Sequence, residues 1–369
     1  MKQRIFSGIQ PTGTIHIGNY LGALKNWVEL QKDFNCIYSI VDLHAISAPY
    51  DAKEFPRSVL NTAAILLAIG IDPQKFTSPT GGSTLFIQSQ RPEVTQLAWI
   101  FNTLSNMGEL SRMTQYKEKT AQFKDKSNVG LFTYPLLQAA DILIYKADRV
   151  PVGEDQLQHV ELARVLAHRF NNRFGDVFPE PEPIVTKAAR IMALNNPAKK
   201  MSKSLPGSYI SLTDTPDEIR SKIRRAVTDS GPTSIQEDAV RRSAPNETRM
   251  NNSSEISRAK ADAGPNDQNK TMAPAIANLF TLLNAFAKPE IVNRFTKAYD
   301  DATIRYTELK DALAEAVVGA LNPIQKRYQD ILAKPDELNK ILSQGAEALR
   351  PIAEGTLTEV KQKMGLNVE

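Results

Sequence analysis

Two short stretches carry residue types suited to phosphate chemistry. The first runs Gly8-Ile9-Gln10-Pro11-Thr12-Gly13-Thr14-Ile15-His16-Ile17-Gly18-Asn19. Small residues let a backbone approach a bulky anion, and a helix opening near Gly18 presents free N–H groups with partial positive charge. His16 sits just ahead of that helix, where its ring can donate to a phosphate. The second is Lys199-Lys200-Met201-Ser202-Lys203-Ser204, between Pro197 and Pro206. Ammonium groups on flexible stems can follow charge that moves during phosphoryl or nucleotidyl transfer. Each stretch also has an ordinary reading. Strand–turn–helix connections use glycines for their turns, and lysine runs are commonly solvated loops.

The elements that must position these residues alternate in kind. Runs of β type fall at 4–7, 36–41 and 84–87, with a weaker one at 149–152; helical patterns fall at 18–31, 54–69, 93–104 and 155–170. Strands alternating with helices predict an α/β fold, a Rossmann-like parallel sheet whose ligands sit at the carboxyl ends of the strands. Beyond residue 212 the β signal fades. Helical patterns follow at 216–227, 273–286, 289–299, 306–320 and 336–364, the first opened by Thr215-Pro216 with Glu218 in its first turn. The reading is a Rossmann-like domain over 1–212, with the lysine stretch at its end, and a C-terminal all-helical domain over 213–369. Residues 231–271 are polar and aperiodic and read as a mobile insert.

Composition narrows the class. At 369 residues, 41% apolar and 23% charged, the chain can bury a sizeable core, and a net charge of +4 permits nucleic-acid binding without demanding it. The single cysteine, Cys36, lies in an apolar run and reads as a small buried hydrophobe. The four histidines show no metal-ligand spacing. The longest apolar stretch, 63–69, is too short to span a bilayer, and a strand beginning by Ile5 leaves no room for a transit peptide. The expectation is no membrane partner and a cytoplasmic location; a processed organellar form would look the same.

Together, the two phosphate-type stretches resemble the signatures of the class I aminoacyl-tRNA synthetases. His16-Ile17-Gly18-Asn19 stands after the first strand, and an intact Lys200-Met201-Ser202-Lys203-Ser204 follows one nucleotide-binding domain later. Asn19 departs from the generic fourth histidine in a way usual for the tryptophanyl and some tyrosyl branches. Two further stretches look like the tryptophanyl branch: Thr133-Tyr134-Pro135-Leu136-Leu137-Gln138-Ala139-Ala140-Asp141, and Gly153-Glu154-Asp155-Gln156. The nearest rival is the tyrosyl branch. More distant ones are a small-molecule nucleotidylyltransferase and a synthetase-like RNA-binding regulator.

The resemblance implies activation of L-tryptophan by ATP, with Mg²⁺ held mainly by phosphate oxygens and no protein metal site, then transfer to the 2′-OH of the terminal adenosine of tRNA(Trp), by a homodimer. It makes 1–212 the catalytic domain and 213–369 an anticodon-binding domain, with the last helix of the catalytic core drawn from the second half as an alternative. It implies catalytic roles for Lys200, Lys203, His16 and Asn19. ATP would meet Gln10, Gly18, Asn19, Gly153, Glu154, Asp155, Ile191, Lys200, Met201, Ser202, Lys203 and Ser204. Tryptophan would meet Asp141, Tyr134 and Gln115, with Lys117 in the segment that closes over it. Asp141 would accept the indole N–H, which a buried ring otherwise leaves unpaired. Read alone, Asp141 serves as well as a helix residue capping a turn, Asp155 as a helix N-cap, His44 as a structural histidine, and Arg220, Lys222, Arg224 and Arg225 as a solvated basic face. One departure is Leu205, where this branch usually carries an acid after the lysine loop.

Overall fold

The computed structural model describes residues 2–73, 82–116, 128–185, 190–203, 205, 207–228 and 272–366. Lys117, Ser204, Pro206 and the expected insert at 231–271 lie outside them. The sheet has five parallel strands: β1 (Arg4–Ile9), β2 (Asn35–Ile40), β3 (Gly82–Ile87), β4 (Arg149–Val152) and β5 (Glu182–Val185). Their order is β3-β2-β1-β4-β5. The chain therefore builds outward from β1 in one direction, then returns and builds in the other. The reversal between β1 and β4 opens a crevice at their carboxyl ends, where doubly wound sheets take ligands. β5 was not expected from sequence. It is short, contains Pro183, and lies at an edge, where a missing N–H is tolerated.

The helices in chain order are α1 (Ile17–Asn19), which runs through a π-helical turn at Tyr20–Leu24 into α2 (Lys25–Leu30), then α3 (Asp42–Ala45), α4 (Phe55–Ala68), α5 (Glu93–Leu104), α6 (Met107–Ser111), α7 (Val129–Leu143), α8 (Leu157–Phe174), α9 (Pro216–Arg224), α10 (Pro274–Phe286), α11 (Pro289–Asp300), α12 (Tyr306–Leu332) and α13 (Pro335–Met364). The expected cap of α9 is present as a reciprocal capping box between Thr215 and Glu218. A large core cluster joins α5 (Leu97, Phe101), α7 (Leu136, Leu143), α8 (Leu166, Phe170) and α13 (Leu349, Leu357).

Two compact units result. The first holds Met1–Arg190, Ser211–Thr213 and Leu321–Glu369; the second holds Ile191–Ile210 and Asp214–Ala320. The first unit thus takes in residues 321–369 of the helical half. The physical reason is α13, which lies along the edge strand β3 and buries Leu338, Leu342, Leu349 and Leu357. Approach is so close that a Cβ placed on Gly345 would run into the Leu85 carbonyl of β3.

Candidate active site

In the first unit a cleft of about 440 Å³ opens at the carboxyl ends of β1 and β4. This volume is in the range that takes a drug-sized ligand. Phe6 and Gly8 of β1, Val150 and Val152 of β4, Trp27 of α2 and Ile142 of α7 give it largely apolar walls. The strands end here because their apolar runs stop at Gln10 and Gly153, and Gly8 is small because its Cβ would come within 2.7 Å of Val41 Cγ1.

At the floor lies Asp141 of α7, 1% exposed. Gln88 Nε2 donates to both of its oxygens at 2.8 Å, and His44 Nε2 donates to Oδ2 at 2.8 Å. Burial pushes the carboxyl above the usual aspartate range, while the bonds from His44 and Gln88 pull it back. A carboxylate offers about four lone-pair positions, of which these contacts fill three, so Oδ1 retains room for one further donor. Gln88 is itself held, its Oε1 accepting from Leu43 N–H at 3.1 Å. Tyr134, on the same helix as Asp141, shares a hydrogen bond of 2.8 Å with His159 Nε2.

The segment after β1 turns through Gly13, whose φ of +66° is a backbone state that favours glycine. α1 then opens with a second reciprocal capping box. Asn19 N–H donates to His16 Nδ1 at 3.3 Å, and His16 N–H donates to Asn19 Oδ1 at 3.1 Å. This explains asparagine at the fourth position, since its carbonyl closes the box. With Nδ1 accepting, the neutral His16 ring carries its proton on Nε2, the donor form. Ile15 and His16 are also fixed by Ser211–Leu212: Leu212 N–H donates to Ile15 O at 3.0 Å beside an antiparallel bridge from Ser211 to His16. Gly153 opens a 3₁₀ turn over Glu154–Gln156, and α8 begins only at Leu157, capped from Gln156 without a side-chain bond. Asp155 is therefore not the helix N-cap.

The lysine stretch belongs to the second unit. Residues 191–193 and 199–201 form a narrow antiparallel ribbon, with Met201 N–H on Ile191 O (3.0 Å) and Ala193 N–H on Lys199 O (2.8 Å). Met201 is buried, whereas the side chains of Lys200 and Lys203 are exposed. Desolvation nonetheless pulls the Lys203 ammonium below the ordinary lysine range. At Leu205, the backbone makes a turn-type bond that does not depend on its side chain. Its N–H donates to Ser202 O at 3.2 Å, and the buried Ser208 hydroxyl donates to the same carbonyl at 2.6 Å. The basic residues of α9 are largely engaged: Arg220 with Glu315, Lys222 with Asp214, Arg224 with Asp311.

A family profile described as "tRNA synthetases class I (W and Y)" matches residues 1–322. The tryptophan–tRNA ligase of Caldanaerobacter subterraneus subsp. tengcongensis is 45% identical over 370 residues, 99% of this chain and 98% of its own. That of Bacillus subtilis is 42% identical over 369 residues, with 99% and 98% covered. This chain belongs to the class I tRNA synthetases, on the tryptophanyl branch. The crystal structure of the Campylobacter jejuni tryptophanyl-tRNA synthetase, complexed with ADP and tryptophan, shares its fold. The TM-score is 0.78 at 31% identity, and 98% of this chain and 99% of that one are covered. The expected family and the Rossmann-like α/β fold stand.

Of the site residues expected from the family, the cleft brings together Gln10, Gln115, Tyr134, Asp141 and Gly153, with His44 beside them. Glu154 and Asp155 follow Gly153 on the turn, and His16, Gly18 and Asn19 stand at the start of α1. Ile191, Lys200, Met201, Ser202 and Lys203 lie on the ribbon and the loop that leaves it. Sequence reasoning missed Gln88, Trp27 and Gln156. A signal existed for Gln88: it is the residue immediately after β3, at a strand's carboxyl end, as His44 stands just past the end of β2.

Proposed function

We propose that the chain condenses L-tryptophan with ATP to tryptophanyl-adenylate and pyrophosphate, then passes the aminoacyl group to the 2′-OH of the terminal adenosine of tRNA(Trp), releasing AMP. The observation that carries this is the buried Asp141 carboxylate, oriented by Gln88 and His44 at the floor of an apolar cleft. It suits an indole ring with one N–H to place, and it disfavours rings without that donor. Gln115 and Tyr134 complete the amino-acid side. Gln10, Gly18 and Asn19 meet the triphosphate; Gly153, Glu154 and Asp155 meet the ribose; Ile191 meets adenine through its backbone. Met201, Ser202 and Ser204 join Lys200 and Lys203 in meeting ATP.

In the first step the tryptophan carboxylate attacks the α-phosphorus and pyrophosphate departs. Little proton transfer is asked of the protein, so catalysis rests on alignment and on charge. Lys200 and Lys203 balance the charge that grows on the leaving oxygens, assisted by His16 and Asn19. Lys200, Lys203, His16 and Asn19 supply ammonium, imidazole and amide groups suited to phosphate oxygens, so Mg²⁺ would be held mainly by the phosphates of ATP and would supply further charge balance there. The protein acts in the cytoplasm as a homodimer; Trp99 of α5 and Met107 of α6 leave large apolar side chains exposed for a second copy to cover. Sedimentation at the mass of a single chain would remove that part of the reading.

The test is pyrophosphate exchange into ATP. Exchange is expected with tryptophan and not with tyrosine or with neither. Lys203→Ala should keep tryptophan binding and slow exchange on the order of 100-fold. Wild-type turnover in that variant would overturn the loop assignment. Exchange with tyrosine alone would overturn the role of Asp141.

A further inference from the structure

α10 presents an apolar face, with Ala275, Ile276, Leu279, Phe280, Leu282 and Leu283 buried. One polar side chain shares that face. Asn278 is 5% exposed, and asparagine is both a poor helix former and costly to bury without partners. Its partners are the two polar groups of a single backbone residue. Met192 N–H donates to Asn278 Oδ1 at 3.0 Å, and Asn278 Nδ2 donates to Met192 O at 3.0 Å.

Met192 is the centre of the ribbon and faces Lys200 across it. The ribbon's cross-strand bonds use Ile191 O and Ala193 N–H, the groups flanking Met192. In an antiparallel pair, alternate residues turn their polar groups outward, to where a third strand would lie. Here no third strand supplies the bonds to Met192. The Asn278 carboxamide does, with one donor and one acceptor set side by side like a peptide group.

We propose that Asn278 is a positioning residue for the nucleotide. It fixes the edge of the ribbon so that the Ile191 backbone and Lys200 are presented to ATP without further ordering. This rests on the reading above that Ile191 and the lysine loop meet ATP. Asn278 itself touches neither substrate nor the reacting atoms. Loosening it should therefore act on ATP and on turnover, and leave tryptophan recognition at Asp141 unchanged.

The experiment compares full-length Asn278→Ala, Asn278→Asp and Asn284→Ala. Asn284 lies on the same helix and donates only to Phe280 O within it, so it serves as the control. Asn278→Asp keeps the shape and one acceptor but sets an anion against the Met192 carbonyl, so it reports even if the alanine variant folds poorly. In pyrophosphate exchange both Asn278 variants should raise the KM for ATP on the order of tenfold and lower kcat, with the KM for tryptophan unchanged. Trypsin should cut at Lys199, Lys200 or Lys203 several times faster, in the absence of ATP, than in wild type or Asn284→Ala. An unchanged ATP KM, a matching rise for tryptophan, or effects equal to those of Asn284→Ala would overturn the proposal. Faster cutting with an unchanged ATP KM would leave the clamp in place and sink its link to the nucleotide. Wild-type turnover of Lys203→Ala would instead sink the loop assignment.

Discussion

At Asp141, burial and hydrogen bonding pull in opposite directions. Burial disfavours the carboxylate and raises its pKa; His44 and Gln88 favour it. The net shift is upward, so across the window between the ordinary and the raised value the folded state holds more proton than the unfolded one. Stability then falls as pH rises through that window. Asp141→Asn should abolish this decline, leaving the melting temperature at pH 8 no lower than wild type, and should weaken tryptophan by roughly 10- to 100-fold, about 1.5–3 kcal/mol for a charged acceptor. Thermal melts from pH 5 to 8 and tryptophan titrations check both halves; a large loss of stability at pH 8 would show that the carboxylate is structural. Asp141 was legible only through the family resemblance, because a helix aspartate by itself points nowhere. Gln88 was not legible, since its role depends on three segments far apart in sequence. Cys36 was legible from its apolar surroundings: burial raises its thiol to about 12, far from a nucleophile's range.

Elements were easier to read than their partners. The patterns at 93–104, 273–286 and 289–299 lie within a residue or so of α5, α10 and α11, because each has a full apolar stripe and a clean stop. The pattern at 306–320 stops short of α12. That helix runs to Leu332 through Pro323, a residue that ordinarily ends a helix, held there by buried Leu321 and Ile324. In α13 the glycines separate into two kinds. Gly345 meets the Leu85 backbone, whereas a Cβ on Gly355 would enter open space. Gly345→Ala should destabilise by about 1–3 kcal/mol through overpacking, while Gly355→Ala should stabilise by up to about 1 kcal/mol through helix propensity. Urea midpoints of the two variants check this, and equal shifts would mean that α13 does not press on β3.

For the molecule as a whole, the β signals cease where the sequence pattern changes, and only the family resemblance raises the return of a last helix to the catalytic core. Return is a tertiary matter: α13 carries an apolar stripe like any amphipathic helix, and nothing in its periodicity says that it covers a strand made near the chain's start. A fragment ending at residue 212 should therefore bind a hydrophobic dye and lack a cooperative melt, whereas the full chain melts cooperatively; calorimetry of both would check it. A cooperative transition in the fragment would mean that the sheet is stable without its last helix. The close packing of α13 on β3 also sets a timetable. β3 is complete by Ile87 and its cover begins at Pro335, which at roughly 5–20 residues per second is a wait of about ten to fifty seconds. For that interval each nascent chain carries an uncovered edge strand beside its neighbours on the same messenger, and the 1–212 fragment is that nascent chain held still.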